Sequence, residues 1–358
     1  MSSAPELDPE KLHSMTPLLG RSPGVSIAEA ERVAYEHYGI KAKADRLAGE
    51  KDENFRLASD GASYLLKIFH VVDRPEVANL ATCALIHLEN VAPDLPVQRI
   101  VRTIHGEPEL HFQTAEGEAR TARMTSFIEG RMLATVTSNR ALREDLGKTL
   151  ARIGHALQTF EHPGAHRPLL WDLKHAGLVR PLLEELDGLQ DYAMLAYCLD
   201  RFQAEVCPRL SELRTQIVHN DLSGDNTVVA HDGETVAGVI DFGDMTATQI
   251  VSDVAVAASN QVVAGEDPIG PAIDLVSGYH GLEPLTVAEL EILYDLVRTR
   301  IAVRIIIGEF RGRRFPENRT YIMRNTAHSW SLLDHLPADA APDVAERLIQ
   351  HCHLGEAR

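Results

Sequence analysis

The spacing of apolar residues predicts strands in the first third of the chain and helices through most of the rest. Ser26, followed three positions later by Glu29, has the form of a capping box and opens a helix through about Tyr38, which Gly39 stops. Residues 47–57 read as a polar turn between strands, and 63–69 as a mostly apolar strand with one lysine, Lys67. Pro75 to about Asn90 is predicted helical. Pro75 falls in the first turn, where its missing N–H costs little, and Val77, Leu80, Ala84 and Leu88 form the apolar stripe. Residues 124–130 read as the end of a strand running into a connection. Leu142, Leu146, Leu150, Ile153 and Leu157 then recur at spacings of four and three, one face of a long helix. Further helices are predicted near 178–187, 190–213, 246–260, 270–279 and 287–310, and no internal repeat is visible.

Two β-rich runs interrupt the helical part. Residues 227–230 and 235–240 flank His231-Asp232-Gly233-Glu234, whose Asp-Gly step is a turn signal, so the pair reads as a hairpin. A hairpin returns its second strand beside its first. Asn226, just before it, and Asp241, just after it, therefore end up close together, fit to hold one divalent cation. His219, Asp221 and Asn226 have the spacing H-x-D-L-x-x-x-N, and Asp241-Phe242-Gly243 supplies D-F-G. Transfer of a phosphoryl group from a nucleotide to a hydroxyl needs a proton acceptor and neutralised phosphate charge. Asp221 would orient the hydroxyl and take its proton, while His219 would brace the loop. Asn226 and Asp241 would offer the hard oxygen ligands that Mg²⁺ prefers. A lone D-F-G is common and says little; two correctly spaced halves around a strand-turn-strand say much more.

These residues resemble the aminoglycoside phosphotransferase and choline kinase group of protein-kinase-like small-molecule kinases. The loop 218–226 carries a small polar residue, Asn220, where protein kinases usually carry Arg. The string Gly-Val-Ile-Asp-Phe-Gly-Asp-Met at 238–245, Asp253-Val254-Ala255-Val256-Ala257 after it, and Trp171-Asp172-Leu173-Lys174-His175-Ala176 are similar to the hydroxylysine kinase branch. The likeness runs from about residue 26 onward and is most specific over 218–257.

The resemblance implies an α+β, two-lobed protein-kinase-like fold. A loose tail at 1–25 precedes an N-lobe of antiparallel sheet plus helix at 26–124, which binds the nucleotide. A hinge at 125–130 leads into a mainly helical C-lobe, 131–358, bearing the catalytic and metal loops. In that order Lys67 meets the α/β-phosphates, with Glu76 as its acidic partner and Glu89 as the rival. No G-x-G-x-x-G occurs around 47–57, only Gly49, so amides near Glu53, Asn54 and Phe55 are expected to cover the phosphates. Main-chain groups from Ser126 to Ile128 would bind the purine edge. The donor would be ATP or GTP with Mg²⁺, and the acceptor a small amino alcohol or hydroxy amino acid. Trp171 and Asp172, an aromatic face beside a carboxylate, are candidates to meet the amine, core packing being equally open for the Trp. Arg311 and Arg314 are candidates to meet a carboxylate, the plain reading of their basic run being a stabilised helix end. Asp253 reads as a buried structural acid bonded to the catalytic loop. Aminoglycoside, choline/ethanolamine and homoserine kinases stand as alternatives within the class, and a non-catalytic nucleotide-binding regulator outside it.

Composition changes this picture little. The 358 residues allow two lobes and a substantial core, and 44% hydrophobic with 24% charged residues is ordinary for a globular protein. An aromatic share of 5% gives no stacking platform for nucleic acid, and Lys+Arg 35 against Asp+Glu 52, net −17, disfavours a polyanionic partner. Acidity permits a cationic substrate, though solubility explains it as well. Cys83, Cys198, Cys207 and Cys352 form no C-x-x-C pair, which suits a reducing compartment. No signal-peptide pattern or membrane-length apolar run occurs, so the expectation is a cytoplasmic protein without a membrane partner.

Overall fold

The computed structural model describes residues 24–49, 52–70, 75–189 and 191–356; the tail expected at 1–25 falls almost wholly outside them. Helix α1 (Ile27–Tyr38) precedes three strands, β1 (Lys43–Leu47), β2 (Glu53–Ser59) and β3 (Ala62–Ile68). Helix α2 (Pro75–Val91) leads to β4 (Ile100–Val101), β5 (Leu110–Gln113) and β6 (Ala119–Ser126). The strands pair antiparallel in the order β1-β2-β3-β6-β4, with β5 also on β6. Strand alternation decides the buried face: Phe55 and Leu57, Leu66 and Ile68, and Ala122 and Met124 share one cluster with Ala30, Val33 and Ala34 of α1. At the start of α1 the Ser26 hydroxyl accepts the Glu29 N–H at 3.1 Å, and Gly39 closes the helix at φ 69°. The Glu29 carboxylate does not complete the capping box. It accepts the N–H of Ala115 at 2.7 Å instead, which fixes α1 to the turn between β5 and β6.

Helix α2 buries Leu80, Ala84 and Leu88 of the expected stripe while Val77 is only half-buried, and those three join the larger helical core rather than the sheet's own cluster. Past β6 the chain crosses between the lobes at 127–130, and β7 (Arg131–Met132) pairs with a strand of the catalytic hairpin. The crossing is tight at Gly130. Its φ is 153°, and a β-carbon there would stand 2.5 Å from the Val229 carbonyl oxygen, so only glycine passes.

The C-lobe begins with α3 (Arg140–Leu157), whose Leu142, Leu146, Leu150, Ile153 and Leu157 are all buried. After α4 (Arg180–Glu184) and α5 (Tyr192–Arg201) come β8 (Thr215–Val218), β9 (Thr227–Val229), β10 (Val236–Val239) and β11 (Thr246–Gln249). The helices α6 (Ile250–Ser259), α7 (Gly270–His280), α8 (Val287–Arg314), α9 (Arg319–Ile322), α10 (Thr326–Asp334) and α11 (Ala341–Glu356) complete the lobe. Thr286 and Glu289 form a full capping box on α8, and most of that helix is buried on every side, which makes it the post of the lobe.

Two predicted helices differ in form. The segment 190–213 is helical only through α5, then passes into a π turn at Phe202–Val206 and a 3₁₀ turn at Cys207–Glu212, where Pro208 lacks the N–H an α-helix needs. The segment 246–260 begins as β11, which pairs with β8, and turns helical only at Ile250. His351 and Cys352 lie in α11, with Cys352 buried.

Candidate active site

Strands β9 and β10 pair antiparallel with Val239 opposite Thr227, and the Ile240 N–H donates to the Asn226 carbonyl at 2.9 Å. This closes the hairpin and sets Asn226 beside the start of the Asp241-Phe242-Gly243 loop. The catalytic loop emerges from β8, which is anchored by its pairing with β11. Asn220 and Asp241, one in each loop, hold φ values of 64° and 58°, a conformation that non-glycine residues adopt at a cost. Their surroundings hold them there. The buried Asp253 carboxylate accepts the Asn220 N–H at 2.7 Å, and the Asn220 side chain donates to the Asp244 carbonyl at 3.3 Å. Burial pushes the Asp253 carboxyl up to about 7, against the pull of the Asn220 and His219 amides and of Arg300.

His219 is wholly buried and ties the two loops together. Its Nε2–H donates to the Ile240 carbonyl at 3.2 Å, its Nδ1 accepts the Asp221 N–H at 3.2 Å, and its ring meets Phe242 edge-on at 4.7 Å. Burial pushes the imidazole down to about 4, so it stays neutral in the one tautomer both bonds require.

Asp221 stands between two neighbours. Its Oδ2 accepts from the Asn226 amide, and its Oδ1 faces the Arg300 guanidinium at 3.4 Å. Burial raises its pKa well above the usual carboxylate range, and nearby Asp244 adds to this, while Arg300 opposes it. A raised pKa suits a group that must take a hydroxyl proton. Arg300 itself is buried, donates to the Trp171 carbonyl at 2.7 Å and lies 4.9 Å over the Trp171 ring.

The Lys67 ammonium bridges the cleft. It donates to Asp241 Oδ1 at 2.9 Å and lies 3.3 Å from Asp52 Oδ2. Burial would lower the Lys67 pKa, but Asp241 and Asp52 hold it above its ordinary value. Asp241 in turn is pushed up by burial and drawn well below the usual carboxylate range by Lys67. Among the described residues no hydrogen bond uses Asp241 Oδ2 or Asn226 Oδ1, and the Asp241 side chain is 43% accessible. Two hard oxygens on adjoining chain segments fit a divalent cation whose other ligands are phosphates and water.

The sequence model of the phosphotransferase enzyme family (APH) matches residues 45–290, well over half of the chain. The chain belongs to this family. The mouse (Mus musculus) hydroxylysine kinase is 26% identical over 335 residues, covering 86% of this chain and 88% of the relative. Among solved structures, a microcompartment-associated aminopropanol kinase superposes with a TM-score of 0.63 at 17% identity, covering 92% of this chain and 97% of that one. An amicoumacin kinase in complex with AMP-PNP and Ca²⁺ gives 0.62 at 18% identity, covering 82% and 92%. The α+β kinase-like fold is thus shared, and the family makes this chain a small-molecule kinase with a hydroxyl acceptor.

Set in that fold, His219, Asp221, Asn226, Asp241 and Lys67 lie together, while other expected site residues lie elsewhere. Glu76 and Glu89 are exposed, and the acids on Lys67 are Asp52 and Asp241. Helix α2 is joined to the sheet by Arg123 instead, which donates to the Ala78 carbonyl and the Thr82 hydroxyl from the position opposite Lys67. The amides of Asn54 and Phe55 belong to β2, which is paired with β1 on one side and β3 on the other. The Asn54 side chain lies beside Gly49, where a β-carbon would stand 2.7 Å from its Nδ2.

At the lobe connection Ser126 uses its N–H on the Arg99 carbonyl and its own carbonyl on Gln98, whereas none of the described hydrogen bonds uses the main chain of Ile128. Asp172 is fully buried and spent on Thr248, Thr246 and Lys174, so it is no amine pocket. Trp171 lies near the site but already carries Arg300 on its face. Arg311 and Arg314 are near the far end of α8, about 16 and 21 Å along the axis from Arg300 at 1.5 Å per residue. Sequence reasoning missed Asp52, Arg123, Arg300 and Arg304. It also missed Arg167, which holds the loop after Asp241 through the carbonyls of Gly243 and Met245. Charged residues inside the otherwise apolar α8 were the one signal available for the arginines there.

Proposed function

We propose that this kinase transfers the γ-phosphoryl group of ATP or GTP, with Mg²⁺, to the hydroxyl of a small amine-bearing acceptor of the hydroxylysine type. The observation that carries the reading is Asp221. It is a half-buried carboxylate of raised pKa, flanked on one side by Asn226 and on the other by Arg300 of α8. Asp221 orients the acceptor hydroxyl and takes its proton as the oxygen attacks the γ-phosphorus. Lys67 leaves Asp241 to meet the donor's α/β-phosphates, and Ile128 offers its main chain to the base. Asp241 and Asn226 would hold Mg²⁺, which when bound neutralises the donor's phosphates. His219 keeps both loops in register and touches no substrate.

The mouse hydroxylysine kinase supports the acceptor class, and the aminopropanol kinase supports an amine-bearing alcohol more broadly. Aminoglycoside, choline/ethanolamine and homoserine kinases are the alternatives within the class. A non-catalytic nucleotide-binding regulator is disfavoured because Asp221, Asn226 and Asp241 are all present and brought together. No helix among the described residues is long and apolar enough to cross a membrane; a cytoplasmic location is part of the same proposal. The test is a coupled assay with ATP and GTP, with and without Mg²⁺, over amino alcohols, hydroxy amino acids and aminoglycosides. Turnover confined to acceptors that lack an amine would overturn the acceptor class, and nucleotide binding without turnover of any acceptor would favour the regulator.

A further inference from the structure

We infer that Arg304, with Arg300 one turn before it on α8, forms a binding site for a carboxylate of the acceptor, which makes the substrate a hydroxy amino acid. The inference rests on the acceptor side of the function proposed above. Asp221 divides the site. Its Oδ2 faces Asn226 and hence the metal and nucleotide, and its Oδ1 faces Arg300. A group held by α8 is therefore on the acceptor side of the base.

Arg304 differs from the ion-paired arginines of the helical lobe. Arg143 pairs with Asp274, Arg201 with Asp295, Arg214 with Glu289 and Arg347 with Asp267. Arg304 is half-buried, donates only to the Ser259 hydroxyl and the Asn260 side-chain oxygen at 3.2 Å each, and makes no salt bridge among the described residues. Both its partners are neutral. A partly desolvated guanidinium with no ion-pair partner is unfavourable, and burial together with Arg300 pushes its pKa down to about 10 against the weaker pull of Asp221. The Nε of Arg300 is also buried without a partner. An arriving carboxylate would supply the missing negative charge and could accept two N–H bonds from the planar fork. The phosphates of the donor are a poor match, because Lys67, Asp241 and Asn226 lie on the other side of Asp221.

The test compares 5-hydroxylysine with 1,5-diaminopentan-2-ol, which lacks the carboxylate, and 6-amino-5-hydroxyhexanoate, which lacks the α-amine. Each is assayed with saturating Mg-nucleotide on the wild type, Arg304→Gln and Arg304→Lys. Losing a charge-assisted bond should lower kcat/KM for 5-hydroxylysine about 10- to 100-fold in Arg304→Gln, mostly through KM. The diamino alcohol should be little affected, the nucleotide KM should hold, and Arg304→Lys should recover part of the loss. Arg304→Lys and the wild-type ratio of the two acceptors decide the matter if Arg304→Gln does not fold. Equal wild-type kcat/KM for 5-hydroxylysine and the diamino alcohol, or equal losses on both, would overturn the carboxylate site and leave the kinase reading standing. Efficient turnover of 6-amino-5-hydroxyhexanoate, impaired by Arg304→Gln, would remove the α-amine requirement and support the carboxylate site.

Discussion

Replacing Asp253 by Asn should change how the stability of this protein depends on pH. Asp253 accepts the Asn220 N–H from deep inside the C-lobe, and its carboxyl is pushed from an ordinary 3.8 up to about 7. The folded state therefore holds the proton more tightly than the unfolded one. For a carboxyl shifted upward, folding stability falls as pH rises from about 4 to about 7 and is constant above that. The shift is about three pH units, and at 1.36 kcal/mol per unit the wild type should lose on the order of 4 kcal/mol through this one group. The amide introduced by Asp253→Asn cannot titrate, so the difference between the two proteins isolates the effect from every other ionisable residue. Urea unfolding followed by the fluorescence of Trp171 and Trp330, both in the C-lobe, gives that difference at each pH. The stability of the wild type relative to the variant should decline steadily from about pH 5 to about pH 7 and then level. A flat difference across that range would refute the raised pKa, and with it the view that burial outweighs the two amides at Asp253.

Asp221→Asn should lower kcat by about 10²- to 10⁴-fold with the nucleotide KM little changed, because it removes the proton acceptor alone; near-normal turnover would show that another group is the base. Asp241→Ala should abolish Mg²⁺-dependent nucleotide binding in a calorimetric titration, and Asn226→Ala should weaken it less, since a neutral ligand is lost. Unchanged Mg²⁺ dependence in Asp241→Ala would rule out the metal role. Asp52→Asn should shift the nucleotide KM, because Asp52 holds Lys67 in place, whereas Glu76→Gln should leave it alone. The reverse ranking would restore Glu76 as the partner of Lys67.

What could be read from the sequence was what depends on near neighbours. The hairpin between Asn226 and Asp241 spans few residues, its turn residues announce it, and its closure brings the two metal-ligand candidates together whatever the rest of the chain does. The stripe of α3 and the cap of α1 are equally local. Lys67 was recognisable from its strand, but its acids were not, because Asp241 reaches it from 174 residues away and Asp52 from a turn that carries no motif. The strand at β11 escaped for a related reason. Its residues allow either form, and pairing with β8, together with the bonds from Thr246 and Thr248 to the buried Asp172, decides for strand. That same burial removed Asp172 from the substrate site. The arginines of 311–314 were conspicuous as a run, yet they stand at the far end of α8, and the cations nearest the base are single residues in an apolar context.

The position of α8 has a bearing on how such an enzyme diverges. The match to the family model ends at residue 290, just after α8 has begun. Arg300 and Arg304 follow about three and four turns later, on a helix buried on almost every side. The loops that carry Asp221 and Asp241 and the face of α8 proposed to meet the acceptor are thus separate stretches of sequence, joined at the Asp221 carboxylate through Arg300. A lineage could exchange one or two side chains on that face of α8 and acquire a different acceptor without disturbing the hairpin. The reverse is not open to it, since any change at Asp221 or Asp241 would be felt with every substrate. Drift in specificity in this scaffold is therefore expected to be written in α8 long before it reaches the loops that perform the transfer.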